Sequence, residues 1–286
     1  MRSLKAICEV TKQSFRKWQT DYRVWVIGVL LVIMVQFYVD DCRKVSSALG
    51  TQIPIWIFPF MYSQGYTKLI YTMMVILLFC NAPFTDANQI FVYMRSGRRK
   101  WICGQILYII TASAAFYFFL FAVSLLSTVF DGEKNLGWGM MLRSVNDSVI
   151  GQTDANFMSI SNIVLRFFSP VQAVMYTFLL SWCAAVMIGL IIFFCNLVSG
   201  TRFIGMLITS ILTVISCTIK FNNYFLYKFL PFSPVSWSTL DNVDVGGLTA
   251  NPSFGYCIGV YCGLILALSI GILVLGQKKS LDTKGD

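Results

Sequence analysis

The sequence predicts an all-α integral membrane protein: six transmembrane helices, an interfacial amphipathic helix before them, and a short cytosolic helix between spans two and three. Three observations predict it. Apolar residues make up 57% of the 286 residues and charged residues only 12%, against about 45–50% and 25% in soluble domains. The apolar residues gather in six runs. The 22 basic residues, set against 13 acidic ones, are spread unequally over the segments between those runs. Half the usual charge cannot cover a water-exposed surface of this size. That excludes a secreted enzyme, a disordered chain and a nucleic-acid-binding domain, and makes the lipid bilayer the first expected partner. Six spans leave no room beside them for a soluble catalytic domain of ~150 residues.

Residues 1–23 are polar and basic, with Leu4, Ile7, Cys8, Thr11, Phe15 and Trp18 recurring at steps of three or four. That spacing places them on one helical face, with Lys5, Glu9, Lys12 and Arg16 around the rest. Such a helix lies in the headgroup plane with Phe15 and Trp18 dipping toward lipid and Arg16 beside them. A disordered basic tail is the alternative. A cleavable signal peptide is not expected, since the polar stretch is too long and Tyr38-Val39-Asp40 offers no small-residue cleavage site. The transmembrane domain covers 24–276, with spans at 24–39, 67–84, 102–129, 170–197, 203–219 and 254–276, and 277–286 form a tail. The first run is about 24 Å long at 1.5 Å per residue, so flanking residues must complete the crossing. Ser169-Pro170 reads as an N-cap followed by a helix-starting proline.

Six spans put both termini on one side. Residues 1–23 carry six Lys or Arg, 85–101 four, 198–202 one and 277–286 three, which is fourteen of the 22. The other side carries eight, counting Lys68 at the outer end of the second span, and the acidic residues divide five and eight. The whole net charge of +9 therefore falls on the side of the termini, a positive-inside pattern that makes that side cytosolic in a multi-pass protein of the plasma membrane. Topology alone accounts for the charge. Two outer segments are too apolar for solvated loops: Ile53-Pro54-Ile55-Trp56-Ile57-Phe58-Pro59-Phe60-Met61-Tyr62, and 225–232 before the last span. They read as interfacial or re-entrant segments, or as aromatic-belt anchors.

The chain has no histidine, which removes the usual general base and the commonest metal ligand. There is no Gly-x-x-x-x-Gly-Lys-Ser/Thr, His-Glu-x-x-His or Gly-x-Ser-x-Gly. No catalytic residue, metal site or cofactor is expected on this chain, and it is not expected to be an enzyme. The nine cysteines form no Cys-x-x-Cys pair and read as packing residues, although Cys42, Cys257 and Cys262 could pair. No charge lies in the middle of a span, which argues against an ion-coupled pump. Gln36, Asn81, Gln105, Asn196, Thr209 and Thr213 are the polar residues of the spans, suited to helix–helix hydrogen bonds.

Two patterns stand out. Between spans two and three, Asp86 with Gln89 resembles a capping box and Gly97 a stop. Ile90, Phe91, Tyr93 and Met94 give the short helix between them an apolar surface, and Arg95, Arg98, Arg99 and Lys100 a basic end beside Trp101. Such a helix suits a groove on a partner protein, or anchoring to anionic lipid. In the last span Gly255, Gly259, Gly263, Ala267 and Gly271 repeat every fourth residue. That stripe allows close helix approach, within one subunit in preference to a dimer interface.

A basic amphipathic first helix, six spans, a short helix between spans two and three, and short hydrophobic elements before the last span resemble permease subunits of type-2 ABC transporters. The stretch from Pro83-Phe84-Thr85-Asp86 to Arg95-Ser96-Gly97-Arg98-Arg99-Lys100-Trp101, followed by Gly104-Gln105-Ile106-Leu107-Tyr108, is similar to small bacterial permeases of this kind. The resemblance implies that residues 86–96 form the coupling helix docking into an ATPase, with 3–20 beside it. It implies two ATP-binding partner subunits that hold ATP and Mg, and a second permease, identical or homologous. The substrate, an amphiphilic peptide, lipid or drug-like molecule, would pass outward between the permeases, past spans one, two and five. The rival expectation is a non-transporting membrane immunity, sensor or assembly protein.

Overall fold

The structure, a computed structural model, describes residues 2–84, 97–130, 132–133, 137–147, 160, 162–218, 228–245, 247 and 250–278. It is mostly helical. Helix α1 spans Arg2–Arg16 and passes through a 3-10 turn, Lys17–Gln19, to Asp21. The Asp21 side chain accepts from the Arg23 N–H at 3.1 Å and caps α2, Tyr22–Leu49. At 28 residues, α2 extends well past the apolar run at 24–39. Its extension carries its own charge compensation: Asp40 pairs with Arg43 at 2.9 Å and Asp41 with Lys44 at 3.0 Å, each one turn on. Gly50, with φ +64°, ends it.

Helix α3 is Gly65–Phe79, and Pro83, which lacks the N–H a helix needs, follows it. Helix α4 is Arg98–Thr128, and the short helices α5, Gly139–Asp147, and α6, Asn162–Phe167, follow. Helix α7, Pro170–Ser199, opens on a complete capping box in which Ser169 and Gln172 satisfy each other's backbone, with Pro170 in its first turn. Helices α8, Phe203–Thr218, and α9, Phe254–Lys278, complete the bundle. Strands β1, Ile53–Pro54, and β2, Gly132–Glu133, pair in parallel, Ile53 opposite Gly132.

Four helices, α2, α4, α7 and α9, are long and apolar enough to cross a membrane. Helices α3 and α8, of 15 and 16 residues, are apolar but shorter, about 22–24 Å against a hydrocarbon core of ~30 Å. The chain is a helical membrane protein. Helix α7 is its centre: its most apolar stretch is 61% buried, against 11% for α9 at the edge, and α3, α4, α8 and α9 all pack on it. Trp182 of α7 ties into α4 by donating to the Ile110 carbonyl at 2.9 Å.

The end of the bundle remote from α1 is closed by two irregular segments. In the first, Phe58, Phe60, Met61 and Tyr62 are buried. Phe58 meets Phe121 edge-on at 5.4 Å, Phe60 meets Trp138 at 5.3 Å, and Tyr62 lies 5.1 Å from Tyr71 and 5.9 Å from Tyr117. Most of residues 53–62 therefore face protein, with Ile55 and Trp56 half-buried. Their apolar surface is covered by the bundle itself, and burial pushes the Tyr62 phenol well above its ordinary range, with Tyr117 adding to the effect. In the second segment, 3-10 turns at Leu230–Phe232, Pro234–Ser238 and Leu240–Asn242 bury Leu230 and Trp237 and leave Phe229 and Phe232 exposed. Tyr261 of α9 donates to the Pro234 carbonyl at 2.6 Å. Residues 225–227 of the aromatic stretch lie outside the described residues.

Candidate functional site

The opposite end of the bundle, the α1 face, collects the groups that the sequence singles out. Helix α1 packs chiefly on α4. Thr11 donates to the Gly104 carbonyl at 3.0 Å, and Trp18 donates through its indole N–H to the Tyr108 hydroxyl at 2.7 Å. Phe15 meets Tyr108 edge-on at 5.3 Å and Trp18 at 5.0 Å, while Phe84 meets Tyr108 at 4.9 Å. Phe15 and Trp18, both half-buried, thus pack on α4, and the cause is plain. An amphipathic helix needs an apolar cover, and the first turns of α4 supply one. Arg16 stays exposed on the other side.

Gly104 makes that approach possible, because a Cβ there would stand 2.7 Å from Val10 Cβ. Gly104→Leu is expected to push α1 off α4 at a cost of about 1–3 kcal/mol, the usual penalty of overpacking. Trypsin should then cut after Arg16 and Lys17 several-fold faster than in the parent chain. Equal cleavage rates would mean that α1 is held elsewhere.

A second device lies where α3, α7 and α8 meet. Asn196, near the end of α7 and 3% exposed, donates to the Ala82 carbonyl at 2.6 Å and accepts from the Gly205 N–H at 2.8 Å. Gly205 belongs to the first turn of α8, where backbone N–H groups have no partner within the helix. One side chain therefore caps α8 and anchors the chain just beyond α3. A Cβ at Gly205 would stand 2.5 Å from Asn196 Oδ1 and 2.6 Å from the Ile192 carbonyl, so α8 starts in contact with α7.

Between α2, α3 and α8 lies a cleft of roughly 470 Å³. Its walls are Tyr22, Val26, Leu77, Phe203 and Met206, and Arg23, Asn81 and Arg202 stand among them. The Arg23 guanidinium lies 5.8 Å over the Tyr22 ring and donates to Cys80 Sγ at 3.7 Å. A smaller recess continues from Arg23 and Asn81 past Asp21 and Lys17 to Trp18 and Tyr108. The cleft and the α1 platform are contiguous.

Of the proposed docking helix, Asp86, Gln89, Ile90, Phe91, Tyr93, Met94 and Arg95 lie outside the described residues. Arg98 and Arg99 lie in the first turn of α4, behind Gly97, whose φ of +79° makes the turn into that helix. Both flanks of residues 85–96 are held: Ala82 by Asn196, and Trp101 by burial at 2% exposure. The glycine stripe of α9 divides. Gly271 meets Phe194, but a Cβ on Gly255, Gly259 or Gly263 would touch nothing within 4 Å, and Ala267 is exposed. Within the subunit Gly271 is thus the glycine of the stripe with a close neighbour, and the glycines of its first half, on a helix at the edge of the bundle, face open space. None of the nine cysteines is in a disulfide, Cys42, Cys257 and Cys262 included.

Lys68 is the residue that sequence reasoning undervalued. It sits in the first turn of α3, is 4% exposed and donates to the Ser236 carbonyl at 3.0 Å. Asn242 donates to the same carbonyl at 2.7 Å, and the Ser236 hydroxyl lies 2.8 Å from those of Ser216 and Ser233. An ammonium at a helix N-terminus works against the helix dipole, which was the available signal that this lysine has a partner elsewhere.

Among the described residues no group of three His, Cys, Asp or Glu could hold a metal ion. The fold and these sites define a polytopic helical membrane protein with one basic, tightly tied face. No protein-family model, curated protein or solved structure matches the chain.

Proposed function

We propose that the chain is the membrane-spanning permease subunit of a type-2 ABC exporter in the plasma membrane. In this reading α3 and α8 also cross, completing six spans, and both termini are cytosolic. The observation that carries it is the double tie on residues 85–96: one flank is fixed to α7 and α8 through Asn196 and the other is buried at the start of α4 beneath α1. A push on such a segment reaches four helices at once, which is what an ATP-driven partner requires. Two ATP-binding subunits, carrying ATP and Mg, dock on residues 86–96 and beside α1. A second permease, identical or homologous, faces the uncovered surface of α2 and α8. The chain supplies no chemistry of its own and borrows energy from hydrolysis next door.

The test is co-purification. The tagged full chain, extracted from its own membranes, should bring down an ATP-binding subunit recognisable by mass spectrometry. Phe91→Glu or Tyr93→Glu should remove about 2 kcal/mol or more of docking energy, a roughly 30-fold weaker association. A chain that purifies alone, and whose reconstituted activity ignores both substitutions, is an immunity, sensor or assembly protein instead.

A further inference from the structure

The cleft between α2, α3 and α8 joins three features. Its walls are large apolar side chains left uncovered by the chain, Tyr22, Val26, Leu77 and Phe203 among them. Two guanidinium groups, Arg23 in the first turn of α2 and Arg202 just before α8, line it. Two helix N-termini, those of α2 and α8, add their positive ends on the same side. The acid beside them, Asp21, caps α2 through the Arg23 backbone N–H, and Arg23, Arg202 and Lys17 of the adjoining recess outnumber it. Guanidinium pairs bind phosphate oxygens through parallel N–H donors. A volume of roughly 470 Å³ suits a headgroup with the first part of its chains, within the ~300–1,000 Å³ of small-molecule sites.

We propose that this cleft binds an anionic phospholipid-like amphiphile from the leaflet on the α1 face, its phosphate between Arg23 and Arg202 and its chains along Val26, Leu77, Phe203 and Met206. That the amphiphile is cargo rests on the permease reading; that it binds does not. The full chain in nanodiscs of uncharged lipid is mixed with a photo-crosslinking phosphatidylglycerol or with its phosphatidylcholine counterpart, and the labelled peptides are mapped. Phosphatidylglycerol should label α2 at 22–27, the end of α3 and the residues after it at 77–81, and α8 at 203–206, at least 10-fold above phosphatidylcholine. Arg23→Gln with Arg202→Gln should abolish that preference, while Lys5→Gln with Lys12→Gln on α1 should leave it unchanged. Thermal unfolding checks that each variant is folded, and Met206→Trp, which fills the cleft without touching charge, should also lower labelling about 10-fold.

Equal labelling by the zwitterionic probe reduces the cleft to an apolar groove and overturns the proposal. Full displacement by inorganic phosphate means a free-anion site and overturns it too. An equal loss in the α1 variant means diffuse attraction to the basic face, and this also overturns it. Selective labelling without an ATP-binding partner leaves the site standing and removes the permease reading. A partner without selective labelling does the reverse.

Discussion

Asn196→Leu should destabilise the protein by about 2–5 kcal/mol, read as a fall in thermal unfolding temperature in detergent. The substitution keeps the branched shape, with methyl groups in place of the amide N and O, and strands two buried backbone groups, the Ala82 carbonyl and the Gly205 N–H. Each unsatisfied group costs about 1–3 kcal/mol, and polar contacts within bilayers fall toward the lower end. Asn196→Asp separates the two roles. Its carboxylate still accepts from Gly205 and still caps α8, but it faces the Ala82 carbonyl with an oxygen where an N–H stood. The buried, unpaired charge should leave the Asp variant no more stable than Leu, with the Gly205 cap kept and the Ala82 tie lost. If the permease reading holds, the Asp variant should also uncouple ATP hydrolysis from movement of substrate, because the chain beyond α3 is no longer tied to α8. Leu and wild type unfolding at the same temperature would show that the two hydrogen bonds carry no weight.

Lys68→Met should open the far end of the bundle. The ammonium donates to a carbonyl of the segment that closes that end, and a hydrogen bond from a charged donor contributes about 1.5–3 kcal/mol. Methionine relieves the desolvation of a buried charge, which offsets part of that loss. The Ser236 carbonyl keeps one donor, Asn242, so it is not stranded outright. The net effect is a loss of about 1–3 kcal/mol, concentrated in 230–242. A membrane-impermeant maleimide reads it out. Cys217 is buried at the end of α8 beside this segment and should be labelled at least five-fold faster in the variant, its peptide distinguished by mass from those of the exposed Cys8 and Cys262. Unchanged labelling would make Lys68 a bystander and leave Trp237 and Tyr261 as what holds the closure.

The contrast between these residues shows what a sequence can carry. The apolar runs appear as helices because hydropathy is a local property, and the capping box at Ser169 and Gln172 is visible for the same reason: its partners are three residues apart. Lys68 meets a partner 168 residues away, so in the sequence it is one more charge counted toward topology. Phe15 and Trp18 show a different limit. Their spacing says that one face of α1 wants an apolar cover, and α4 and lipid satisfy that demand equally well. The α9 stripe is similar: small residues permit a close neighbour without naming it, and the chain itself supplies one only at Gly271. Arg202 counted as a single positive charge in a turn. Its meaning changes once Arg23, far from it in the sequence, is found lining the same cleft.

The lock between Trp18 and Tyr108 has a consequence for how the protein is made. Its two halves are 90 residues apart, and a ribosome adding about 5–20 residues per second needs about 5–20 s to bridge that interval. During that time α1 exists with its apolar side uncovered, while α2 and α3 emerge behind it. Its basic side and its aromatic pair suit it to wait on the anionic membrane surface until α4 arrives to receive it. The amphipathic pattern thus suits the nascent chain as well as the finished bundle.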